Sequence, residues 1–154
     1  MKHLSMAIVC RGGKVLLQKR FRRSQGMVFE FPGGMVNEHE SGTSAAAREL
    51  FEETAMSDLK HTATFCDVNQ FGGRIYYTLF DALEKDEPIA VDESRKQTFH
   101  WLFPEQIPLE DFYPADVAFI KNKLLIEKIY QSEFDFQDSG HFRCVEIKEN
   151  SALE

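Results

Sequence analysis

Cysteine is scarce in this chain. Cys10, Cys66 and Cys144 are odd in number, far apart and without a CxxC pair, which argues against a disulfide framework and for reduced thiols in a cytoplasmic setting. No stretch approaches the roughly 20 apolar residues that a membrane span needs, so neither a leader nor a span is expected. The five histidines, at positions 3, 39, 61, 100 and 141, lack metal-ligand spacing, and each reads as structural or exposed. Positive charge is also in deficit. With a formal net charge of −7, the chain has no global basic field to hold a nucleic-acid polymer or an anionic membrane. A small anionic substrate would need local cations. Internal repeats, low-complexity stretches and an evident linker are missing as well.

What remains fits one core. A chain of 154 residues, 43% of them hydrophobic, can bury a sizeable interior. The expectation is a single domain over 1–154, with 134–154 a polar C-terminal extension in which Phe142, Cys144 and residues 145–147 could form a short strand. Residues 5–11 and 14–19 read as strands around a Gly12-Gly13 turn, a hairpin signal. Residues 59–69 and 74–83 read as two more around Gly72-Gly73, and 98–102 as another. Helices are expected over 41–54 and from Pro114 to about residue 130, since proline suits a first turn.

The segment from Gly34 to Met56, GMVNEHESGTSAAARELFEETAM, holds the strongest chemical signal. Glu49, Glu52 and Glu53 fall at i, i+3 and i+4 and share one face of the expected helix. Like charges at that spacing cost a few tenths of a kcal/mol per pair, a liability that a hard divalent cation removes. Mg²⁺ favours oxygen ligands and joins carboxylates to substrate phosphates. Beside the acids, Thr43, Ala46, Ala47, Leu50, Phe51 and Thr54 form a core-facing stripe, and the small alanines would let the helix lie close to a sheet. Just before it, Phe29 to Phe31 reads as a short strand ending in a Pro32-Gly33-Gly34 turn.

This segment resembles the box of the Nudix hydrolases. That box sets a glycine, a glutamate, an Arg-Glu pair, an aliphatic residue, a Glu-Glu pair, a glycine and a second aliphatic residue at fixed spacing. Here the positions are Gly34, Glu40, Arg48-Glu49-Leu50, Glu52-Glu53, Ala55 and Met56, and every one matches except Ala55, where the family has glycine. If that glycine ends the helix in a left-handed conformation, alanine costs up to roughly 1 kcal/mol there, or the helix runs on a little. Asn37 and His39 replace two looser preferences of the loop. The resemblance implies an α/β/α sandwich with a mixed sheet between helices. It also implies Glu49, Glu52 and Glu53 as metal ligands for Mg²⁺ or Mn²⁺, with the Gly33 carbonyl completing the sphere and Glu40 and Arg48 in support.

Three further features bear on the substrate. Lys19, Arg20, Arg22 and Arg23 form the densest cationic run; Arg20 is the first choice for a phosphate contact, and a solvated loop is the plain alternative. Asp92 and Glu93 precede the strand at 98–102. By resemblance to the nucleoside-triphosphate branch, Glu93 is a candidate to join the metal site or act on water, against the plainer reading of an ordinary loop acid. The segment Asp111 to Asp116 looks like the base-recognition segment of MutT-type pyrophosphatases. An ionised Asp116 offers only acceptors, which suits the adjacent N–H donors of guanine. It could as simply be an acid favoured by a helix N-terminus. Phe71, Tyr76 and Phe112 are candidates to stack on the base.

The resulting expectation is Mg²⁺-dependent hydrolysis of a nucleoside triphosphate to monophosphate and pyrophosphate, with oxidised purines such as 8-oxo-dGTP among the substrates. Glu49 or Glu93 would be the general base, and the sequence leaves the two open. Alternatives are a nucleotide-sugar or dinucleotide pyrophosphatase, or a non-catalytic nucleotide sensor. Intact Glu49, Glu52 and Glu53 disfavour the sensor. The partner is a small nucleotide; a homodimer is compatible with the sequence but not specified by it.

Overall fold

Apolar residues at every position of Leu4–Arg11 from Met6 to Cys10 mark a strand buried on both faces. The computed structural model, which describes residues 1–130, places this strand, β1, at the centre of a seven-stranded mixed sheet. The expected strand at 142–147 lies outside the described residues. Lys14–Arg22 (β2), Gly26–Glu30 (β3), Gly33–Met35 (β4), Lys60–Val68 (β5), Arg74–Asp81 (β6) and Thr98–Leu102 (β7) complete the sheet. Its order is β3-β2-β1-β6-β5, with β4 also on β1 and β7 also on β2. Only β1 and β6 run parallel; every other pair is antiparallel.

The β1–β2 hairpin turns at Gly12 and Gly13, whose φ angles of 58° and 77° are both positive, the geometry a tight hairpin turn requires. Beyond it the strands part. They pair only at Cys10↔Val15 and Arg11↔Lys14. The opening is filled from two sides, by β3 along Gln18–Arg22 and by β4 along Leu4–Met6. The Pro32-Gly33-Gly34 segment is therefore not a simple turn into the helix. Its glycines form β4, and a Cβ on Gly33 would sit 2.4 Å from the Ser5 carbonyl oxygen, so glycine serves close approach here.

Helix α1 spans Gly42–Thr54. Ser41 caps it, its hydroxyl accepting the Ser44 N–H at 3.0 Å. Gly42 lets the first turn touch the sheet, because a Cβ there would meet the Tyr76 ring at 2.4 Å. Ala46 and Leu50 pack against Ala7, Val9, Leu16 and Phe80 on this face. Ala55 ends the helix at φ 62°, ψ 7°, its N–H reaching the Phe51 carbonyl at 2.9 Å. The left-handed alternative for this position is thus the one adopted. Ala55→Gly should add about 0.5–1 kcal/mol of stability, read as a higher denaturation midpoint, with turnover unchanged.

The opposite face buries Ile8, Leu17, Tyr77, Leu79, Phe119 and Leu124. The second helix is shorter than expected. Regular α geometry, α2, holds only over Pro114–Phe119 and widens into π-type turns over Ile120–Ile126. The Glu127 N–H reaches back five residues to the Asn122 carbonyl at 3.2 Å. That wider pitch lets Phe119, Ile120 and Leu124 all face the sheet, and Lys128, at φ 54°, stops the run. A sheet between two helical layers results.

Candidate active site

The three box glutamates differ in their surroundings. Glu52 is exposed, Glu49 is partly covered, and Glu53 is 4% exposed. Arg48 organises the outer part of the cluster. Its guanidinium donates to Glu40 Oε2 at 2.8 Å, Glu49 Oε1 at 2.9 Å and Glu52 Oε2 at 3.1 Å, and to the Met35 carbonyl at 2.9 Å. Its fork also holds the Glu40 carboxyl below the usual carboxylate range. Glu49 lies directly on the backbone of β4, since a Cβ on Gly34 would stand 2.6 Å from its carboxylate.

Glu53 is reached from three directions. Gln18 Nε2 donates to it at 2.7 Å, the Gly33 N–H at 2.9 Å and Arg95 Nη1 at 3.2 Å. Burial nevertheless pushes its carboxyl up to about 7, assisted by the charge of Glu49, so the hydrogen bonds and Arg95 offset the desolvation only in part. Gln97 completes the base of the site, donating to the Glu53 carbonyl at 3.0 Å and to the Gln18 side chain. Gln18, Gln97 and Arg95 were not anticipated from sequence. A glutamine closing the apolar run Val15-Leu16-Leu17 was the one available sign.

Glu93 and Arg20 depart from expectation in position. Glu93 opens a one-turn 3-10 segment, is exposed, and its side chain has no hydrogen bond or ion pair among the described residues; its neighbour Arg95 enters the cluster instead. The cationic run is strand through Arg22, where β2 ends, and Arg23 lies in the turn that follows. Alternation along β2 puts Arg20 on the same face as Gln18, near enough to feel Glu53. Arg22 is bound to Glu30 by two hydrogen bonds of 2.8 and 2.9 Å.

On the other side of Gly33 and Gly34 opens a cleft of about 310 Å³, lined among others by Glu30, Phe71, Asp111, Phe112 and Asp116. Asp116, 9% exposed, accepts the Tyr77 hydroxyl at 2.8 Å. Burial raises its carboxyl above the ordinary range, and the bonds from Tyr77 and the Tyr113 backbone pull it partly back. Phe71 stands at the mouth, 52% exposed, with the Lys2 ammonium 4.4 Å from its ring. Phe112 packs on Phe31 at 5.3 Å. Tyr76 requires correction as a stacking residue. It is 1% exposed and lies under Gly42 on the α1 face, while its neighbour Tyr77 points to the cleft side, as strand alternation demands.

Residues 1–123 match the NUDIX domain. The chain belongs to the NUDIX family. Among relatives, a CTP pyrophosphohydrolase of Escherichia coli K12 is 30% identical over 116 residues, covering 75% of this chain and 85% of that protein. The solution structure of the E. coli ORF135 protein matches with a TM-score of 0.60 at 25% identity, over 85% of this chain and 95% of that one. A MutT NUDIX hydrolase from Burkholderia pseudomallei shares the fold, with a TM-score of 0.58 at 21% identity over 79% and 97% of the two chains. The chain is thus a NUDIX hydrolase with the fold of MutT proteins, and the segment Gly34 to Met56 lies within the matched residues.

Hydrolases of this family generally depend on a divalent metal. The residues here suit one. Three carboxylates on one helical face, with no sulfur or imidazole among them, are the donor set of a hard cation. Among the described residues no three acidic, histidine or cysteine side chains converge on one centre, and Arg48 and Arg95 pair with Glu49 and Glu53. No helix among the described residues is long and apolar enough to cross a membrane.

Proposed function

We propose that this NUDIX hydrolase is a Mg²⁺-dependent nucleoside triphosphate pyrophosphatase, converting a triphosphate and water to a monophosphate and pyrophosphate. One observation supports the reading above the rest. Gly33 and Gly34 belong both to the carboxylate cluster and to the cleft that ends at Asp116, so a base in the cleft would lay its phosphates toward the box. Glu49, Glu52 and Glu53, with the Gly33 carbonyl, would hold Mg²⁺ or Mn²⁺. When bound, such an ion neutralises phosphate oxygens and acidifies water.

The protein's own groups have separable tasks. Arg48 fixes Glu49 through Oε1, while Glu49 Oε2 has no hydrogen-bond partner among the described residues and is free to take the proton of the attacking water. That makes Glu49 the better-placed general base, with Glu93 in a supporting role at the rim. Arg20 binds phosphate. Phe71 covers the base, and Asp116 accepts hydrogen bonds from it.

Guanine, including 8-oxo-dGTP, presents adjacent N–H donors to Asp116, whereas cytosine and adenine each present one amino donor beside a ring-nitrogen acceptor. The CTP pyrophosphohydrolase relative favours testing cytosine beside guanine. Incubation of ribo- and deoxynucleoside triphosphates, dinucleotides and nucleotide sugars with the protein and Mg²⁺, resolved by product chromatography, tests the reading. Monophosphate plus pyrophosphate is the expected product pair. Orthophosphate release, or turnover confined to dinucleotides or nucleotide sugars, refutes it. Gly34→Ala should push the Glu49 carboxylate aside and lower turnover about tenfold or more with little change in Tm.

A further inference from the structure

The turn between Asp92 and Gln97 belongs to neither box nor cleft, yet it is fastened to the carboxylate site. Gln97 anchors one end through the Glu53 carbonyl, 3.0 Å away. At the other, Asp92 Oδ1 accepts the Ser94 N–H at 3.0 Å and its hydroxyl at 2.6 Å, and Lys96 takes a left-handed φ of 51°. The backbone so shaped aims Arg95 inward. Its Nη1 lies 3.2 Å from Glu53 Oε1 and its Nε 3.6 Å from Asp92 Oδ2.

This position brings two cations together. Burial, and after it the like charges of Arg22 and Arg95, hold the Arg20 guanidinium below the ordinary range. Among the described residues its Nε reaches only the Phe21 carbonyl, at 3.4 Å. Arg95 also shares Glu53 Oε1 with Gln18. A divalent cation bound to Glu53 would compete with Arg95 for that carboxylate, by charge as well as by space. Once displaced, Arg95 would keep the exposed Asp92 as its ion-pair partner among the described residues, within electrostatic reach of Arg20. Two planar forks within electrostatic reach of each other and of Glu53 would form a receptor for a polyphosphate.

We propose that Arg95 is a phosphate-binding residue of this site, held on Glu53 in the metal-free protein and released to the substrate's phosphates when a divalent cation takes that carboxylate. The identity of the phosphates rests on the nucleotide reading above; the exchange between guanidinium and cation does not. The two steps carry opposite signs. Removing the guanidinium removes a competitor of the metal and, at the same time, a ligand of the phosphate.

Calorimetric titration separates them: Mg²⁺ alone into metal-free protein, then inorganic pyrophosphate into protein saturated with Mg²⁺, for the parent and Arg95→Gln. The variant should bind Mg²⁺ several-fold more tightly and pyrophosphate about tenfold or more weakly. A merely structural role would weaken both, and that result, or no change in either, overturns the proposal. Arg95→Lys guards against misfolding of the neutral variant. It keeps the charge without the fork, so Mg²⁺ affinity should return toward the parent value while pyrophosphate binding stays weak; pyrophosphate affinity equal to the parent's overturns the fork assignment. Both effects in the variant, with a parent that releases pyrophosphate from no nucleoside triphosphate, would refute the proposed function and support the Arg95 exchange.

Discussion

Glu53→Gln should abolish most turnover, by about a hundredfold or more at saturating Mg²⁺, while the protein stays folded. Glu53 is the buried member of the carboxylate cluster and the one tied to both β2 and β4. An amide cannot supply the negative charge that a divalent ion needs at this place. Stability without metal gives a second readout. The Glu53 carboxyl sits at about 7 in the folded protein, above its ordinary 4.5. Between those values the folded state holds more protons than the unfolded one, so metal-free stability should fall as pH rises through that window. In the variant that slope should flatten, and the rise in Tm on adding Mg²⁺ should disappear. Near-normal turnover, or an undiminished Mg²⁺-dependent Tm shift, would remove Glu53 from the metal site.

Asp116 is the second test, aimed at selectivity rather than chemistry. Its carboxylate is the buried acceptor at the end of the cleft, fixed by the Tyr77 hydroxyl at 2.8 Å. Asp116→Ala leaves donors on the base unpaired, a loss of about 1–3 kcal/mol, or roughly 5- to 150-fold in kcat/KM for the preferred nucleotide. Alanine also strands the Tyr77 hydroxyl. Asp116→Asn avoids this, because its carbonyl still accepts from Tyr77 while its amide turns an acceptor into a donor. Measured over 8-oxo-dGTP, dGTP, dATP and CTP, the preference should move away from guanine-type bases, whose edge carries adjacent donors, toward bases with a ring-nitrogen acceptor beside the amino group. Equal losses across all four, or a parent with no base preference, would return Asp116 to the role of a first-turn acid.

Much of this molecule is local in origin and was therefore legible in the chain. Positive φ at Gly12 and Gly13 follows from glycine's missing Cβ, and the hairpin with it. Ser41 ahead of an alanine-rich amphipathic run sets the start of α1, and the i, i+3, i+4 spacing places Glu49, Glu52 and Glu53 on one face whatever lies elsewhere. Those interactions span a few residues, and their geometry is fixed by the helix itself.

Contacts between distant segments obey no such rule. That β1 and β2 separate after the hairpin, leaving room for β3 and β4, depends on pairings between strands far apart in sequence. The same pairings bring Gln18, Arg95 and the Gly33 N–H onto Glu53, which buries it and raises its carboxyl, while Glu93 is left in solvent. The strand period of two dictates that Tyr76 and Tyr77 face opposite ways; only the packing of α1 on one side of the sheet and α2 on the other decides that Tyr77 meets Asp116 and Tyr76 is sealed under Gly42. The sequence determined which carboxylates share a face, and the tertiary structure decided which of them is desolvated and what else reaches it, because burial and charge proximity are properties of the assembled sheet.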